Sequence, residues 1–500
     1  MSALDRDGVV GVVGAGTMGQ GIAQVALLAG HPVLLHDAAP GQARGAADAV
    51  AGRLDRLVAK GRLGAEEMKT ALARLSAAEG IADLAGAGLV VEAVVEDLAV
   101  KRRLFAELEA VVGDGCLLAT NTSSLSVTAV AGALRLPGRL VGLHFFNPAP
   151  LLPLVEVVAG AASDPGAVDV AYATAAAWRK VPVRCSDTPG FLVNRIARPF
   201  YAEALRVHEE RAADPATIDA LLRESGGFPM GPFALMDLIG QDVNEAVTRS
   251  VWEAFFRDPK FTPSLAQRRL VESGRLGRKT GRGWFSYQEG AAGPEPRTAE
   301  PVAAPSFITV EGDLGPAREL AALAEESGVE VRREPAARGA IVLPVGTSLH
   351  LADGRPPGGA AVQFDLALDY RAATRIGLAP AAGTSADAVS QATGLFQAMG
   401  KKVSVIKDVP GMVVARTVAM LVDLAVDAVA REVASTQDVD TAMRMGVNYP
   451  VGPLEWGERL SASFVRGLLD ALHDWYPTGR YAPCPELRSR AAAAEDVISS

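Results

Sequence analysis

Val9-Val10-Gly11-Val12-Val13-Gly14-Ala15-Gly16-Thr17-Met18-Gly19 is the stretch on which the fold turns. Its first five residues are an apolar, mostly β-branched run, the composition of a strand buried on both faces of a parallel sheet. Glycines 14, 16 and 19 then form a GxGxxG motif, and from Gly19 to Ala29 the residues are small and apolar with helical spacing. A strand, tight turn and helix in that order use the first glycine for the turn, the second to let a pyrophosphate approach the backbone, and the third to pack helix on strand. Phosphate charge then sits at the positive helix N-terminus.

Downstream, Val33-Leu34-Leu35-His36-Asp37 is a second strand-like run, and its terminal acid follows Gly19 at the spacing a dinucleotide-binding unit requires. An acid there hydrogen-bonds the adenosine ribose hydroxyls and repels a 2′-phosphate. Ala38-Ala39-Pro40 offers no arginine to receive one, so NAD is favoured over NADP. Gly14, Gly16, Thr17, Met18, Gly19 and Asp37 are the cofactor contacts expected; the rival reading makes Asp37 a turn or helix-capping residue. Strand-like runs recur at 88–95, 116–120 and 140–146, separated by helix-compatible sequence. That alternation predicts an open parallel α/β sheet of Rossmann type over residues 1–186.

Past Asp187-Thr188-Pro189-Gly190 the character changes, and 191–211 and 215–224 read as helices, so an all-α domain is expected over 187–288. The Ala-, Pro-, Glu- and Gly-rich stretch 289–305 reads as a linker. The rest repeats the first half. Asp187-Thr188-Pro189-Gly190 recurs as Asp408-Val409-Pro410-Gly411, Ile218-Asp219 as Val439-Asp440, and Phe228–Pro232 as Tyr449–Pro453, all by the one offset that carries position 187 to 408. A single register across three motifs argues for an internal duplication, with a shortened α/β unit over 306–407 and a second helical domain over 408–500.

At 500 residues the chain is too long for one core. With 49 % hydrophobic and 21 % charged residues it has the balance of a soluble globular protein. A net charge of −9 argues against a general nucleic-acid binder. No apolar run approaches the ~18 residues of a membrane span, and the charged start running into a core strand is no signal peptide. Three cysteines without CxxC spacing indicate neither a disulfide framework nor a metal site. A cytoplasmic protein is expected.

A glycine loop holds a cofactor without naming a reaction. The segment GLHFFNPAPLLPLVEV (142–157) carries the residues with chemistry: His144 at a strand end, a loop stiffened by Pro148, Pro150 and Pro153, and then Glu156. A hydride leaving a carbinol carbon requires a base for the hydroxyl proton, which imidazole supplies near neutrality. A carboxylate behind it fixes the tautomer and stabilises the imidazolium. The competing reading is a satisfied core histidine and a capping acid. Asn121-Thr122-Ser123-Ser124, after another strand-like run, weighs against that, because such strand ends line the ligand crevice.

Taken in order, GAGTMGQGIAQVA (14–26), VVEAVVEDLAVKRRLF (90–105), NTSSLSVT (121–128), GLHFFNPAPLLPLVEVV (142–158) and DTPGFLVNRIARPFYAEA (187–204) resemble the signature segments of the 3-hydroxyacyl-CoA dehydrogenase family. The resemblance implies that His144 is the catalytic base and Glu156 its partner. It places Ser123 and Asn194 on the substrate's reacting oxygen and beside His144. Glu96, Lys101, Asn121, Ser123 and Asn147 fall at the ribose and nicotinamide end of NAD, and Lys60, with Arg62, near the phosphates of the acyl-CoA substrate. Blander readings make Ser123 a helix cap and Lys101 a solvated helix residue. Asn194, in an otherwise apolar helix, is expected to be a buried amide in need of partners. Beyond residue 300 the chain resembles the long branch of the family, which acts on 3-hydroxyadipyl-CoA in phenylacetate degradation; a 3-hydroxybutyryl-CoA or general short-chain substrate is the alternative. A diacid would need a cation at its far end, and Arg195 and Arg198 are candidates or else snorkelling surface residues.

Carried forward by the offset of the repeat, His144 falls on Asp365, Glu156 on Gly377 and Asn194 on Ala415, so the second copy has lost its proton-transfer groups. Glu311-Gly312-Asp313-Leu314-Gly315-Pro316 also puts acids where a pyrophosphate would lie. Helical domains of the family pair between subunits, which implies here an intrachain pseudo-dimer, the second helical domain packing on the first through apolar helices such as 412–429. Further homo-oligomerisation is left open.

Overall fold

The run that opens the glycine motif is strand β1 (Val9–Val13), central in an eight-stranded sheet. In this computed structural model, which describes residues 2–356 and 359–499, it is joined by β2 (Val33–His36), β3 (Leu75–Ala77), β4 (Ala87–Glu92), β5 (Leu117–Thr120), β6 (Leu140–Phe145), β7 (Leu154–Ala159) and β8 (Val181–Ser186). The order is β3-β2-β1-β4-β5-β6-β7-β8, and the sheet belongs to a unit made of residues 1–195 and 431–447. Its core is aliphatic, with Val10, Val12, Leu35, Val91, Leu143 and Val157 sealed from solvent.

The expectation of a wholly parallel sheet needs one correction: β6 and β7 are antiparallel. The short, proline-rich loop between them cannot house a crossover, which takes a dozen residues or more, so the chain must return as a hairpin. The Lys180 ammonium pins that loop by donating to the carbonyls of Ala149 and Leu152.

Residues 431–447 come from the second copy yet complete this first unit. The helix Thr436–Val447 packs on β7 and β8, and Ser186 at the end of the edge strand donates its N–H to the Val433 carbonyl at 2.9 Å. The reciprocal contact lies in the other unit, 196–430 with 448–500, where Lys407 donates to the Ala212 carbonyl at 3.0 Å. Both partners of one bond are those of the other displaced by the offset of the repeat. The helix Pro215–Glu224, counterpart of Thr436–Val447, likewise packs on the second sheet. Each copy therefore lends the same helix to the other's sheet.

That second sheet contains β9 (Phe307–Glu311), β10 (Glu330–Glu334), β11 (Ala340–Val342), β12 (Ser348–Leu351), β13 (Val362–Phe364), β14 (Arg375–Pro380) and β15 (Lys402–Val405), in the order β10-β9-β11-β12-β13-β14-β15. Parallel crossovers stand at its two ends, β9 to β10 through the helix Glu319–Glu326 and β14 to β15 through the helix Ala386–Ala398; the hairpin β11–β12 lies between them. Its far side keeps the ancestral register. Asp365 lies opposite Gly377, donating its N–H to the Gly377 carbonyl, and Gly377 pairs with Ser404. These are the pairings His144–Glu156 and Glu156–Val183 carried forward by the same offset.

The helix expected over 191–211 is broken into Val193–Ile196 and Arg198–Glu209, with Pro199 in the first turn of the latter, where its missing N–H costs nothing. Pro215–Glu224 is as expected, its N-cap Asp214 accepting from the Thr217 amide. The apolar helix of the second copy runs Val414–Ala430 and packs against Arg198–Glu209. Between them the buried Glu203 carboxylate meets Arg480 at 2.5 Å and Arg416 at 3.1 Å, and accepts from the Tyr481 hydroxyl at 2.7 Å. Burial alone would raise its pKa; the two guanidiniums outweigh that and hold it at about 2. Among the described residues no helix is long and apolar enough to cross a membrane.

Candidate active site

The glycine turn is built to leave backbone exposed. Gly14 has φ +103° and a Cβ there would lie 2.5 Å from the Ala93 carbonyl oxygen; one on Gly19 would lie 1.7 Å from the Gly14 oxygen. Gly16 has open space where a Cβ would be, the room a pyrophosphate takes. It is followed by the helix Thr17–Ala29, which has no side-chain cap and no acid in its first turn, so its leading amides remain for an anion. Thr17 is exposed and Met18 half-buried against the core.

Asp37 accepts the Ala15 amide at 2.8 Å and the Ala39 amide at 2.9 Å, tying the glycine turn to the end of β2. With Gly14, Gly16, Ala38, Val94 and Leu104 it lines a largely apolar cavity of about 570 Å³. The cavity wall also carries Arg103, offset by Asp37 and Glu107. Open backbone amides beside an apolar recess with an acid at its rim fit the phosphates, adenine and ribose of NAD.

At the other end of the sheet β6 and β7 set His144 directly opposite Glu156. The Nδ1 to Oε2 distance is 2.6 Å, with His144 5 % exposed and Glu156 fully buried. An ionised carboxylate only accepts, so Nδ1 carries the proton and Nε2 keeps its lone pair. The other oxygen, Oε1, accepts the amides of Leu192 at 3.1 Å and Val193 at 2.8 Å. Glu156 is thus held by the backbone that leads into the turn Val193–Ile196, and it holds the ring in turn. Phe146 and Phe191 flank the imidazole, ring centroids 4.5 and 5.9 Å away. Phe191 sits at φ +50°, a strained setting for a bulky residue.

Glu96 organises the loop after β5. Its Oε1 accepts the Thr122 hydroxyl at 2.6 Å and the Ser123 and Ser124 amides at 2.9 and 3.0 Å. Burial raises its pKa, but the Lys101 ammonium and these donors prevail and hold it below the usual carboxylate range. Asn121 accepts the Phe145 amide at 2.8 Å through its side-chain oxygen, tying that loop to the residue after His144.

One expectation, a buried Asn194, is corrected, and several rival readings fall. Lys101 is no solvated helix residue: it is 1 % exposed, its Nζ 2.5 Å from Glu92 and 3.3 Å from Glu96. Asn194 is only half-buried, the one residue of the turn Val193–Ile196 that is not sealed from solvent. Ser123 does not cap the next helix; Ser126 does, accepting from the Ala129 amide. Arg195 and Arg198 are buried rather than snorkelling. Arg198 donates to Thr248 at 3.1 Å and, within the second unit, lines a cavity of about 320 Å³ with Arg206 and Gln267. Asn147, Lys60 and Arg62 are exposed.

Glu92 escaped the sequence reading. Fully buried at the end of β4, it receives Lys101, the Thr120 hydroxyl at 2.7 Å and the Val94 amide at 2.7 Å. An acid closing an apolar strand run was the signal, since a buried carboxylate needs a cation and donors.

Comparison with known proteins agrees with this geometry. Residues 9–188 match the family model for the NAD binding domain of 3-hydroxyacyl-CoA dehydrogenase. Residues 190–287 and again 411–495 match the C-terminal domain model of that family. Residues 349–410 match a reduced Rossmann-fold domain described for 3-hydroxybutyryl-CoA dehydrogenase. The chain is 44 % identical over 485 residues to 3-hydroxyadipyl-CoA dehydrogenase of Escherichia coli K12, covering 96 % of this chain and 97 % of that relative. It is 40 % identical over 281 residues to a 3-hydroxybutyryl-CoA dehydrogenase of Mycobacterium tuberculosis, covering 56 % of this chain and 98 % of the relative. The crystal structure of 3-hydroxybutyryl-CoA dehydrogenase from E. coli K12 superposes with a TM-score of 0.89 at 42 % identity, covering 98 % of this chain and 99 % of that one.

Proposed function

The chain belongs to the 3-hydroxyacyl-CoA dehydrogenase family and is an NAD-dependent enzyme; from that premise we propose that it oxidises (3S)-3-hydroxyadipyl-CoA to the 3-oxo thioester, with His144 as the base. Bound NAD supplies the hydride acceptor. His144 takes the hydroxyl proton at Nε2, the nitrogen left lone-paired by its bond to Glu156. Glu156 fixes the tautomer and stabilises the imidazolium as it forms. Ser123 and Asn194 hydrogen-bond the reacting oxygen and orient it toward the ring. Gly14, Gly16, Thr17, Met18 and Gly19 hold the pyrophosphate, Asp37 the adenosine ribose, and Glu96, Lys101, Asn121 and Asn147 the nicotinamide half. Lys60 and Arg62 meet the coenzyme A phosphates.

The observation that carries this reading is the cross-strand pair at 2.6 Å, its carboxylate fully buried and its imidazole nearly so. Low local dielectric strengthens such a pair and keeps the imidazole in one orientation. The choice of a diacid rests on the near full-length relative named for it. The proposed partner of its far carboxylate is one of the buried arginines, Arg195 or Arg198. We further propose the domain division 1–186, 187–288, 289–305, 306–407 and 408–500, an intrachain pseudo-dimer of the helical domains, and a cytoplasmic location.

Comparing kcat/KM for 3-hydroxyadipyl-CoA and 3-hydroxybutyryl-CoA tests the substrate. A preference for the diacid of roughly tenfold or more is expected from one charged contact. Equal values would move the protein to a general short-chain role.

A further inference from the structure

The helix Thr436–Val447 lies in the copy that has lost its chemistry, yet it packs on the strand that carries Glu156. Its buried residues Val439, Ala442, Met443 and Gly446 form one stripe at helical spacing. Gly446 ends that stripe in close contact. A Cβ added there would come within 2.5 Å of the Leu154 side chain and 3.4 Å of Val193. Leu154 opens β7 two positions before Glu156, and the Val193 amide is one of the two backbone donors to Glu156. Gly446 therefore touches both arms of the cradle that fixes the carboxylate: the strand it stands on and the helical turn that hydrogen-bonds it.

The counterpart of this contact shows that the place is built rather than incidental. The positions equivalent to Gly446 and Leu154 in the other copy are Ser225 and Arg375. There the Ser225 hydroxyl donates to the Arg375 carbonyl at 2.6 Å. At the second sheet, where no His/Glu pair stands, the helix meets the strand through a polar side chain. At the first, glycine removes the side chain and lets helix and strand close directly.

We infer that the helix Thr436–Val447 is a positioning element for the His144–Glu156 pair and that Gly446 is its point of contact. This rests on the proposed role of that pair. Through Leu154 and Val193 it holds Glu156 at the spacing that keeps the Nδ1 proton in place. The decayed copy thereby serves the chemistry of the intact one, beyond burying apolar surface.

The test is Gly446→Val in the full chain, assayed for kcat, KM for NAD and the pH profile of kcat/KM. Displacement of the cradle by a few tenths of an ångström to an ångström is expected to lower kcat roughly 10- to 100-fold. KM for NAD should stay within about twofold, since the glycine turn is untouched. The acid limb of the profile should move as the carboxylate loosens from the ring. Leu154→Ala in the Gly446→Val background removes the clashing atoms and should restore most of kcat, a coupling that general destabilisation would not produce. Should Gly446→Val fold poorly, Gly446→Ala, whose single methyl clashes with the flexible end of Leu154 and only touches Val193, should show a smaller loss of the same kind. An unchanged kcat and pH profile in a folded Gly446→Val protein would overturn the inference. So would a loss that Leu154→Ala deepens. If instead the unaltered protein reduced NAD with no 3-hydroxyacyl thioester, the functional reading itself would fail, and the two failures are distinct.

Discussion

Positions 144 and 365 occupy the same place in the two sheets, and they have been put to opposite uses. At the first, His144 faces Glu156 across the strands, and Glu156 divides its oxygens between the imidazole and the amides of Leu192 and Val193. At the second, Asp365 faces Gly377 and gives both oxygens to amides: Val413 at 3.0 Å and Val414 at 2.9 Å on one, Ala415 at 3.1 Å on the other. Val413 and Val414 are the repeat counterparts of Leu192 and Val193. Opposite Asp365 a Cβ on Gly377 would lie 3.4 Å from the Asp365 Cβ and 3.2 Å from Leu221, so a larger residue there would crowd the acid. What the two share is a carboxylate that satisfies the leading amides of a buried helix; what they do not share is a proton acceptor. Capping that helix is a demand of the fold, and Glu156 meets it while also serving the ring. The second copy kept the first duty, moved it to the neighbouring strand, and dropped the second.

If that division is right, variants at the two places should separate activity from stability. His144→Ala is expected to lower kcat by roughly 10³- to 10⁴-fold, the upper range for a general base, with NAD affinity nearly unchanged by titration. Loss of NAD affinity on the same scale would undo the contrast, because His144 would then be a binding residue. Glu156→Gln probes the shared duty. A glutamine oxygen can still accept from Leu192 and Val193, but its NH₂ would face Nδ1 and favour the wrong tautomer. The loss in kcat should approach that of His144→Ala while the melting temperature moves little.

Asp365→Ala should do the reverse. It leaves buried donors at 413–415 without an acceptor, at about 1–3 kcal/mol each before relaxation. A total of about 3 kcal/mol is expected, read as a calorimetric transition several degrees lower. Activity at a temperature where the variant is folded should be close to that of the parent. A fall in kcat as large as that of Glu156→Gln, with the transition unmoved, would mean Asp365 takes part in the chemistry.

Much of this contrast was written in the sequence. Three motifs in one register fixed the offset of the repeat, and that offset carries His144–Glu156 onto Asp365–Gly377 as paired strand positions, with no gap between. The glycine turn and Asp37 were legible because their spacing obeys a local geometric rule. The direction of β7 was less so, although the short proline loop before it already forbade a crossover. Glu92 was passed over because its cation, Lys101, stands on the following helix and reads as a cofactor contact, with a solvated residue as the rival, rather than as the partner of a buried acid. The exchange of helices between copies could not be read at all. Thr436–Val447 has an ordinary amphipathic pattern, and periodicity says that a face is buried without saying against what. Likewise Asp365 was taken as a sign of loss, because its new partners are backbone amides, which no side-chain pattern displays.

The smallest expected effect tests the balance of forces on Asp365. Burial pushes its pKa up to about 6, against the hydrogen bonds from Val414, Ala415, Val413 and Leu366 that favour the charged form. A carboxyl whose pKa is higher folded than unfolded binds its proton more tightly in the folded state. Its stabilising contribution is whole below about pH 4, shrinks as pH rises through about 6, and changes no further above that. A shift near two units corresponds to about 2–3 kcal/mol. Asp219, which burial raises to about 7 against the amides of Phe233 and Ala234, adds a slope of the same sign, so the parent protein alone cannot isolate either group. Asp365→Asn can. Denaturant unfolding at pH 4.5 and 7.5 should show the variant losing less stability than the parent over that interval, by up to about 2 kcal/mol. A variant that loses more would mean that the amides of 413–415 outweigh burial. The second copy would then hold its carboxylate as an anion stabilised by the helix terminus, and the two sheets would differ in partner alone.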